Sequence, residues 1–292
     1  MTHGRSEIHR LLELAGTNPS KALGQNFVAD PNTVRRIART AGIGVGDRVV
    51  EVGAGLGSLT LALAETGAQV TAIERDQRLL AVLPDVLAGT SVELVEGDAM
   101  TLDWGALLGS ETWSLVANLP YNIATPLVLD LLADHPGIDR MVVMVQAEVG
   151  DRLVAEPGAP ECGIPSVKAS YWTEARTAFK VGPDVFVPRP RVDSSVIELT
   201  RRAGATGTEA DPAVLFALVD TAFGQRRKML RRSLRALGVD EAVFAAAGLS
   251  GATRPESLSL QQWGALARAV AARPGGPPMS PARVGPATGG PV

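Results

Sequence analysis

Asn118-Leu119-Pro120-Tyr121 is the stretch of this chain richest in chemistry. An asparagine offers a side-chain oxygen as a hydrogen-bond acceptor. A proline holds the residue before it extended, so Pro120 fixes the main-chain carbonyl of Leu119 as a second acceptor. Tyr121 adds a flat face for stacking. Two fixed acceptors beside an aromatic ring suit a planar base that carries an amino group. The exocyclic amine of adenine is a poor nucleophile because its lone pair is delocalised into the ring. Acceptors on its hydrogens help the nitrogen become pyramidal and attack an activated methyl group. No strong general base is required, and positioning and electrostatics would carry the rate. Taken alone the tetrapeptide is also an ordinary strand-ending turn, since Asn and Pro are common turn residues.

A methyl donor needs a cradle of its own. Glu51-Val52-Gly53-Ala54-Gly55-Leu56-Gly57 follows an apolar run, and glycines at a strand-to-helix turn let a ligand approach the backbone at a helix N-terminus. Glu74 stands 21 residues beyond Gly53, where an acidic strand end can accept from both hydroxyls of a ribose. To this point a dinucleotide remains possible. Ser58 occupies the place where a dinucleotide fingerprint has glycine or alanine. Gly97-Asp98-Ala99, after a third apolar run, offers a carboxylate to an adenine amine. Both features favour S-adenosyl-L-methionine as the cofactor.

These loops must be held by strands. Apolar, β-branched runs at 49–52, 70–73, 92–95, 115–117 and 141–145 are separated by helix-length segments, the pattern of a parallel sheet. Residues 175–181 and 192–200 read as two more strands joined through a proline-rich turn. The expected fold class is α/β: a Rossmann-like class I methyltransferase sheet with a closing antiparallel hairpin, plus a small C-terminal all-helical domain. A short helix over 6–15 and a basic helix over about 32–40 precede the sheet. The methyltransferase domain is expected over 1–202 and a linker over 203–211. A helical RNA-binding domain follows over 212–272, opened by Asp211-Pro212 and carrying a capping box at Ser259 and Gln262. Residues 273–292 contain 11 Pro or Gly among 20, which predicts a disordered tail.

Composition narrows the partners. The 292 residues are 46% hydrophobic, enough for a sizeable core, and no run approaches the length of a membrane span. A cytoplasmic, monomeric protein with no membrane partner is expected. Cys162 is the only cysteine and three histidines are scattered, so neither a metal site nor covalent catalysis is expected. The net charge of −3 conceals one basic stretch. Arg226, Arg227, Lys228, Arg231, Arg232 and Arg235 crowd into eleven residues, and Leu230, Leu234 and Leu237 recur at helical spacing. A helix over 223–237 would bury the leucines and lay Arg226, Arg227, Lys228, Arg231 and Arg232 along an RNA backbone. A solvated charged face is the plainer alternative.

The chain resembles the ribosomal RNA adenine dimethyltransferase family in its small-subunit branch. The likeness rests on Leu23-Gly24-Gln25-Asn26-Phe27, the glycine turn, Glu74, Gly97-Asp98-Ala99, Asn118 to Pro126, Gln146-Ala147-Glu148-Val149, Phe186 to Ser194, and Phe223-Gly224-Gln225-Arg226-Arg227-Lys228. The resemblance implies cofactor contacts from Gln25, Asn26, Val28, Gly53, Gly55, Glu74, Asp98, Ala99 and Asn118. It implies that Phe186 joins Tyr121 in holding a flipped adenine. It further implies N6,N6-dimethylation of two adjacent adenines in the 3′-terminal hairpin loop of 16S rRNA, with the immature 30S subunit as partner. The large-subunit branch is the nearest alternative, but it tends to carry Ile where Leu119 stands. A DNA adenine methyltransferase would carry an acidic motif in place of Asn118. A non-catalytic RNA-binding or assembly factor is the alternative from outside the enzymes.

Overall fold

The computed structural model describes residues 2–202 and 207–273. They fall into two compact units, one of residues up to 154 plus 172–202, the other of 155–171 plus the residues from 203 onward.

The first unit is built on nine strands: β1 (Phe27–Val28), β2 (Arg48–Val52), β3 (Gln69–Glu74), β4 (Glu93–Glu96), β5 (Trp113–Asn118), β6 (Ile138–Gln146), β7 (Thr173–Val181), β8 (Phe186–Val187) and β9 (Ser194–Arg201). Seven form one sheet in the order β4-β3-β2-β5-β6-β9-β7, and β1 pairs separately with β8. From β4 to β6 neighbours run parallel, while β9 is antiparallel to both β6 and β7. This is the α/β sheet with a closing antiparallel pair that the sequence pattern predicts. Its interior strands are apolar because helices cover them: Val49, Val50, Leu115, Val116, Ala117 and Val143 are fully buried. The strand order reverses between β2 and β5, and crevices at such a reversal are where open α/β sheets bind ligands.

Helix Pro31–Ala41 shows why the local sequence chooses its structure. Asp30 caps it, accepting from Asn32 N at 3.3 Å and Thr33 N at 2.9 Å, and Pro31 takes the first turn. Gly42 ends it in the left-handed conformation with φ of 65°. Val34, Ile37, Ala38 and Ala41, at helical spacing, join the core with Val49, Val70, Val116 and Val142. The N-terminal helix Arg5–Leu14 buries Ile8, Leu11 and Leu12 in a smaller cluster with Phe27 and Leu56, over the glycine turn.

In the second unit the described residues form helices, including Pro212–Phe223, Leu230–Ser233, Glu241–Ala246 and Leu260–Ala271. Trp263, Phe244, Leu215 and Leu218 make its core. The capping box forms, with Gln262 N donating to Ser259 Oγ at 3.2 Å and Ser259 N to Gln262 Oε1 at 2.9 Å. Residues 155–171, placed in the first domain by the sequence analysis, belong with this unit instead. Lys168 Nζ pairs with Asp220 at 2.9 Å, and the Tyr171 hydroxyl donates to Ala210 O at 2.7 Å. These long-range partners leave no periodic signal in the sequence. The expected linker begins outside the described residues, and its described part is tied down by Gly207 N donating to Tyr171 O at 2.8 Å. All but one residue of the expected tail lies outside the described residues.

The continuous helix expected over 223–237 is broken. Turns occupy 224–227 and a bend follows at 228, an α-helical turn spans Leu230–Ser233, and a 3-10 turn spans Arg235–Leu237. A continuous helix would set Arg227 against Arg231 and Lys228 against Arg232 at i,i+4, where like charges repel. Leu230 and Leu234 are nonetheless fully buried, and the arginines face outward.

Candidate functional site

A cleft opens at the strand reversal, where open α/β sheets bind ligands. Three loops build it together with the ends of β3 and β4. The first is the glycine turn between β2 and the helix Ser58–Ala64. Gly53 and Gly55 adopt φ of 77° and 61°, where a side chain would be strained, and a Cβ on Gly55 would press on the Phe27 ring at 3.2 Å. The second is the loop over residues 20–26. Gly24 packs there so closely that a Cβ would meet Pro120 Cβ, Asn122 Oδ1 and Tyr121 N, each at 3.3 Å. The third is the end of β5, which carries Asn118 to Tyr121.

Asn118 lines the cleft, and its side chain is anchored to the second loop. Its Nδ2 donates to the Asn26 carbonyl at 3.1 Å, so Oδ1 is left as an acceptor. Leu119 is buried, and its N–H donates to Met144 O at 3.0 Å, fixing the turn that leads into Pro120. Tyr121 is half-buried, and burial pushes its phenol above the ordinary value against a smaller opposing effect of Ser194.

Glu74 sits at the end of β3 and is 6% exposed. Oε1 accepts from Arg75 N and Asp76 N, and Oε2 from Gly55 N, all at 2.8 Å. A carboxylate has about four lone-pair sites, so about one remains, on Oε2 beside the glycine turn. Burial raises the Glu74 carboxyl above its usual range, and those backbone donors oppose the shift. Asp98 Oδ2 pairs with Arg75 at 2.8 Å and Oδ1 accepts from Met100 N at 3.0 Å. Ala99 is buried beside it. Gln25 bridges Ser20 N and Asp76 Oδ2, both at 2.8 Å, which ties the second loop to the end of β3. Val28 and Asn26 complete the wall. Glycines at a strand-to-helix turn and carboxylate acceptors on successive strand ends, Glu74 buried and Asp98 partly exposed, fit a nucleoside cofactor with an amino-acid arm. Among the described residues no group of three or more His, Cys, Asp or Glu could hold a metal ion, and no helix is long and apolar enough to cross a membrane.

Two sets of expected site residues lie elsewhere. Phe186 is fully buried in the main core cluster and does not line the cleft. Its strand β8 pairs with β1, setting Phe186 opposite Val28, so it stands behind the cleft wall. The basic residues Arg226, Arg227, Lys228, Arg231 and Arg232 are exposed on the second unit, where Arg226 also donates to the Pro160 carbonyl.

One residue of the cleft had been given no role. Glu51 is 1% exposed, its Oε2 has no hydrogen-bond partner, and burial pushes its carboxyl up to about 8. The available signal was a carboxylate inside the β-branched run Val49-Val50-Glu51-Val52, where a charge has no packing reason to be.

The sheet order and the crevice at its reversal define a Rossmann-like methyltransferase. A family model described as ribosomal RNA adenine dimethylase matches residues 16–271. The chain belongs to that family, and it is a methyltransferase of the class that uses S-adenosylmethionine. It is 46% identical over 274 residues to a protein of Streptomyces avermitilis named ribosomal RNA small subunit methyltransferase A, covering 90% of this chain and 92% of that one. A crystal structure titled 23S rRNA methyltransferase ErmE superposes with a TM-score of 0.65 at 27% identity, covering 83% of this chain and 98% of the other. A dimethyladenosine transferase from Plasmodium falciparum shares the fold with a TM-score of 0.70 at 22% identity, over 81% and 94% of the two chains.

Proposed function

We propose that this enzyme transfers methyl groups from S-adenosylmethionine to N6 of two adjacent adenines in the 3′-terminal hairpin loop of 16S rRNA, acting in the cytoplasm as a monomer on the immature 30S subunit. The observation that carries the amine chemistry is the Asn118 side chain, anchored through Nδ2 so that Oδ1 accepts. Support for the small subunit comes from the relative at 46% identity, whose name specifies that subunit, against 27% for the protein titled for 23S rRNA.

The cofactor supplies an electrophilic methyl group. Gly53, Gly55, Glu74, Asp98, Ala99, Gln25, Asn26, Val28 and Asn118 would hold it. Asn118 Oδ1 and the Leu119 carbonyl draw on the hydrogens of the adenine amine and orient its lone pair, and Tyr121 offers its ring to the base. Phe186 is buried and does not line the cleft, so of the two rings expected to hold the base Tyr121 is the one in its lining. Incubation with methyl-labelled S-adenosylmethionine and immature 30S particles, mature 50S particles or naked DNA should label the 30S particles. Label mainly in 50S particles would contradict the substrate assignment.

The exposed arginines of the second unit would follow the RNA backbone. The triple variant Arg226→Glu, Arg227→Glu, Arg231→Glu is expected to bind immature particles more weakly and with a flatter salt dependence, since each lost phosphate contact lowers the slope by roughly 0.7 to 0.9. A filter-binding salt titration measures this, and an unchanged slope would remove the stretch from the interface.

A further inference from the structure

The helix Pro31–Ala41 and β7 enclose a second groove on the methyltransferase unit, separate from the cleft. Arg36, Arg39 and Lys180 bring cations to it and Phe179 forms an apolar wall. The Arg36 guanidinium lies 3.8 Å from the centre of the Phe179 ring. A guanidinium stacked in this way keeps its charge and the donors on its edge, and loses little freedom when it binds an anion.

The neighbouring carboxylates have other engagements. Asp30 caps its helix, accepting from Asn32 N and Thr33 N. Glu65 accepts two hydrogen bonds from Arg35, at 2.9 and 3.1 Å, among its partners, and Asp151 pairs with Lys180 at 2.7 Å. Arg36 and Arg39 are exposed, and among the described residues no carboxylate lies within ion-pair distance of either. In a chain of net charge −3, this is a local excess of positive charge.

Its position gives it a meaning. Val28 lines the cleft, and Asp30, two residues on, lines the groove. Ala29 N donates to Val185 O at 2.7 Å, and Val185 lines the groove as well. One two-stranded piece thus walls both sites.

The geometry points to this groove as a binding site for the sugar-phosphate backbone of the substrate RNA, on a wall shared with the cleft that holds the adenine. The inference rests on the rRNA reading above. Arg36 and Arg39 are the phosphate ligands, Phe179 orients Arg36, and the contact carries no sequence information.

The test is binding of the double variant Arg36→Glu, Arg39→Glu to immature small-subunit particles over a range of salt. Melting and binding of S-adenosylhomocysteine are measured on the same preparation, and both are expected to match the parent because the two side chains are exposed and outside the cleft. Particle affinity should fall at least tenfold at low salt, with the slope of log affinity against log salt smaller by about 1 to 2. Arg36→Lys keeps the charge without the planar stack and should fall between parent and double variant. If charge reversal disturbs the melt, Arg36→Gln, Arg39→Gln takes its place with the same expected direction. Parent-like affinity and slope in a folded variant would overturn the inference. A parent protein that does not bind these particles would instead overturn the substrate reading, and with it the groove as a site for this RNA.

Discussion

Asn118→Ala is expected to lower single-turnover methyl transfer by about a thousandfold while the protein still binds cofactor with reduced strength. Removing one preorganised polar group at a reacting centre costs roughly 10² to 10³ in rate. At Asn118 the loss is expected at the upper end because two effects combine. The acceptor Oδ1 is gone, and the Asn26 carbonyl loses the Nδ2 donor at 3.1 Å that links the second loop to the end of β5. Cofactor affinity falls because Asn118 is itself one of the proposed cofactor contacts and anchors the second loop, but it survives because Glu74, Asp98 and the glycine turn are untouched. Calorimetric titration with S-adenosylhomocysteine separates the two effects. A variant that turns over like the parent would show that the amine is not activated at this residue.

The second large effect is a pH dependence of stability seated at Glu51. Its carboxyl rises to about 8 in the folded protein, mainly through burial, against 4.5 as its ordinary value. Between those limits the folded state holds a proton that the unfolded state has released. Stability therefore falls as pH rises from about 4.5 to about 8, and the contribution is flat outside that window. The shift corresponds to about 5 kcal/mol over the window. Glu51→Gln keeps the shape and removes the titration, so the stability difference between variant and parent should grow in the variant's favour from pH 5 to pH 8. Denaturant melts of both proteins at the two pH values measure it. A difference independent of pH would mean that Glu51 is ionised throughout.

The parts of the molecule that could be anticipated are those in which local chemistry and global packing agree. The β-branched runs became β2 to β6 because a parallel sheet covered on both faces needs continuous apolar strands. The glycine turn and Asn118 were legible because each needs a residue type that few other roles demand. What escaped was set at long range. Residues 155–171 join the helical unit through Lys168 with Asp220 and Tyr171 with Ala210, pairs some 40 to 50 residues apart. The short pairing of β1 with β8, which turns Phe186 inward, couples residues about 160 apart and leaves no periodic trace. The basic stretch misled for a different reason. Its leucines have helical spacing and two of them are fully buried, but repulsion among its arginines favours turns over a continuous helix.

Glu51 marks a further limit. A motif match draws attention to its glycines and passes over the carboxylate that precedes them, although the cost of burying a charge singles that carboxylate out.

The most direct test of the adenine-amine account is nucleoside analysis of RNA recovered from immature 30S particles after reaction with methyl-labelled S-adenosylmethionine. The expected product is N6,N6-dimethyladenosine at two adjacent positions in the 3′-terminal hairpin loop of 16S rRNA, absent with Asn118→Ala. Label on another base, on a ring atom of adenine, or retained in the Asn118 variant at the parent level would contradict it.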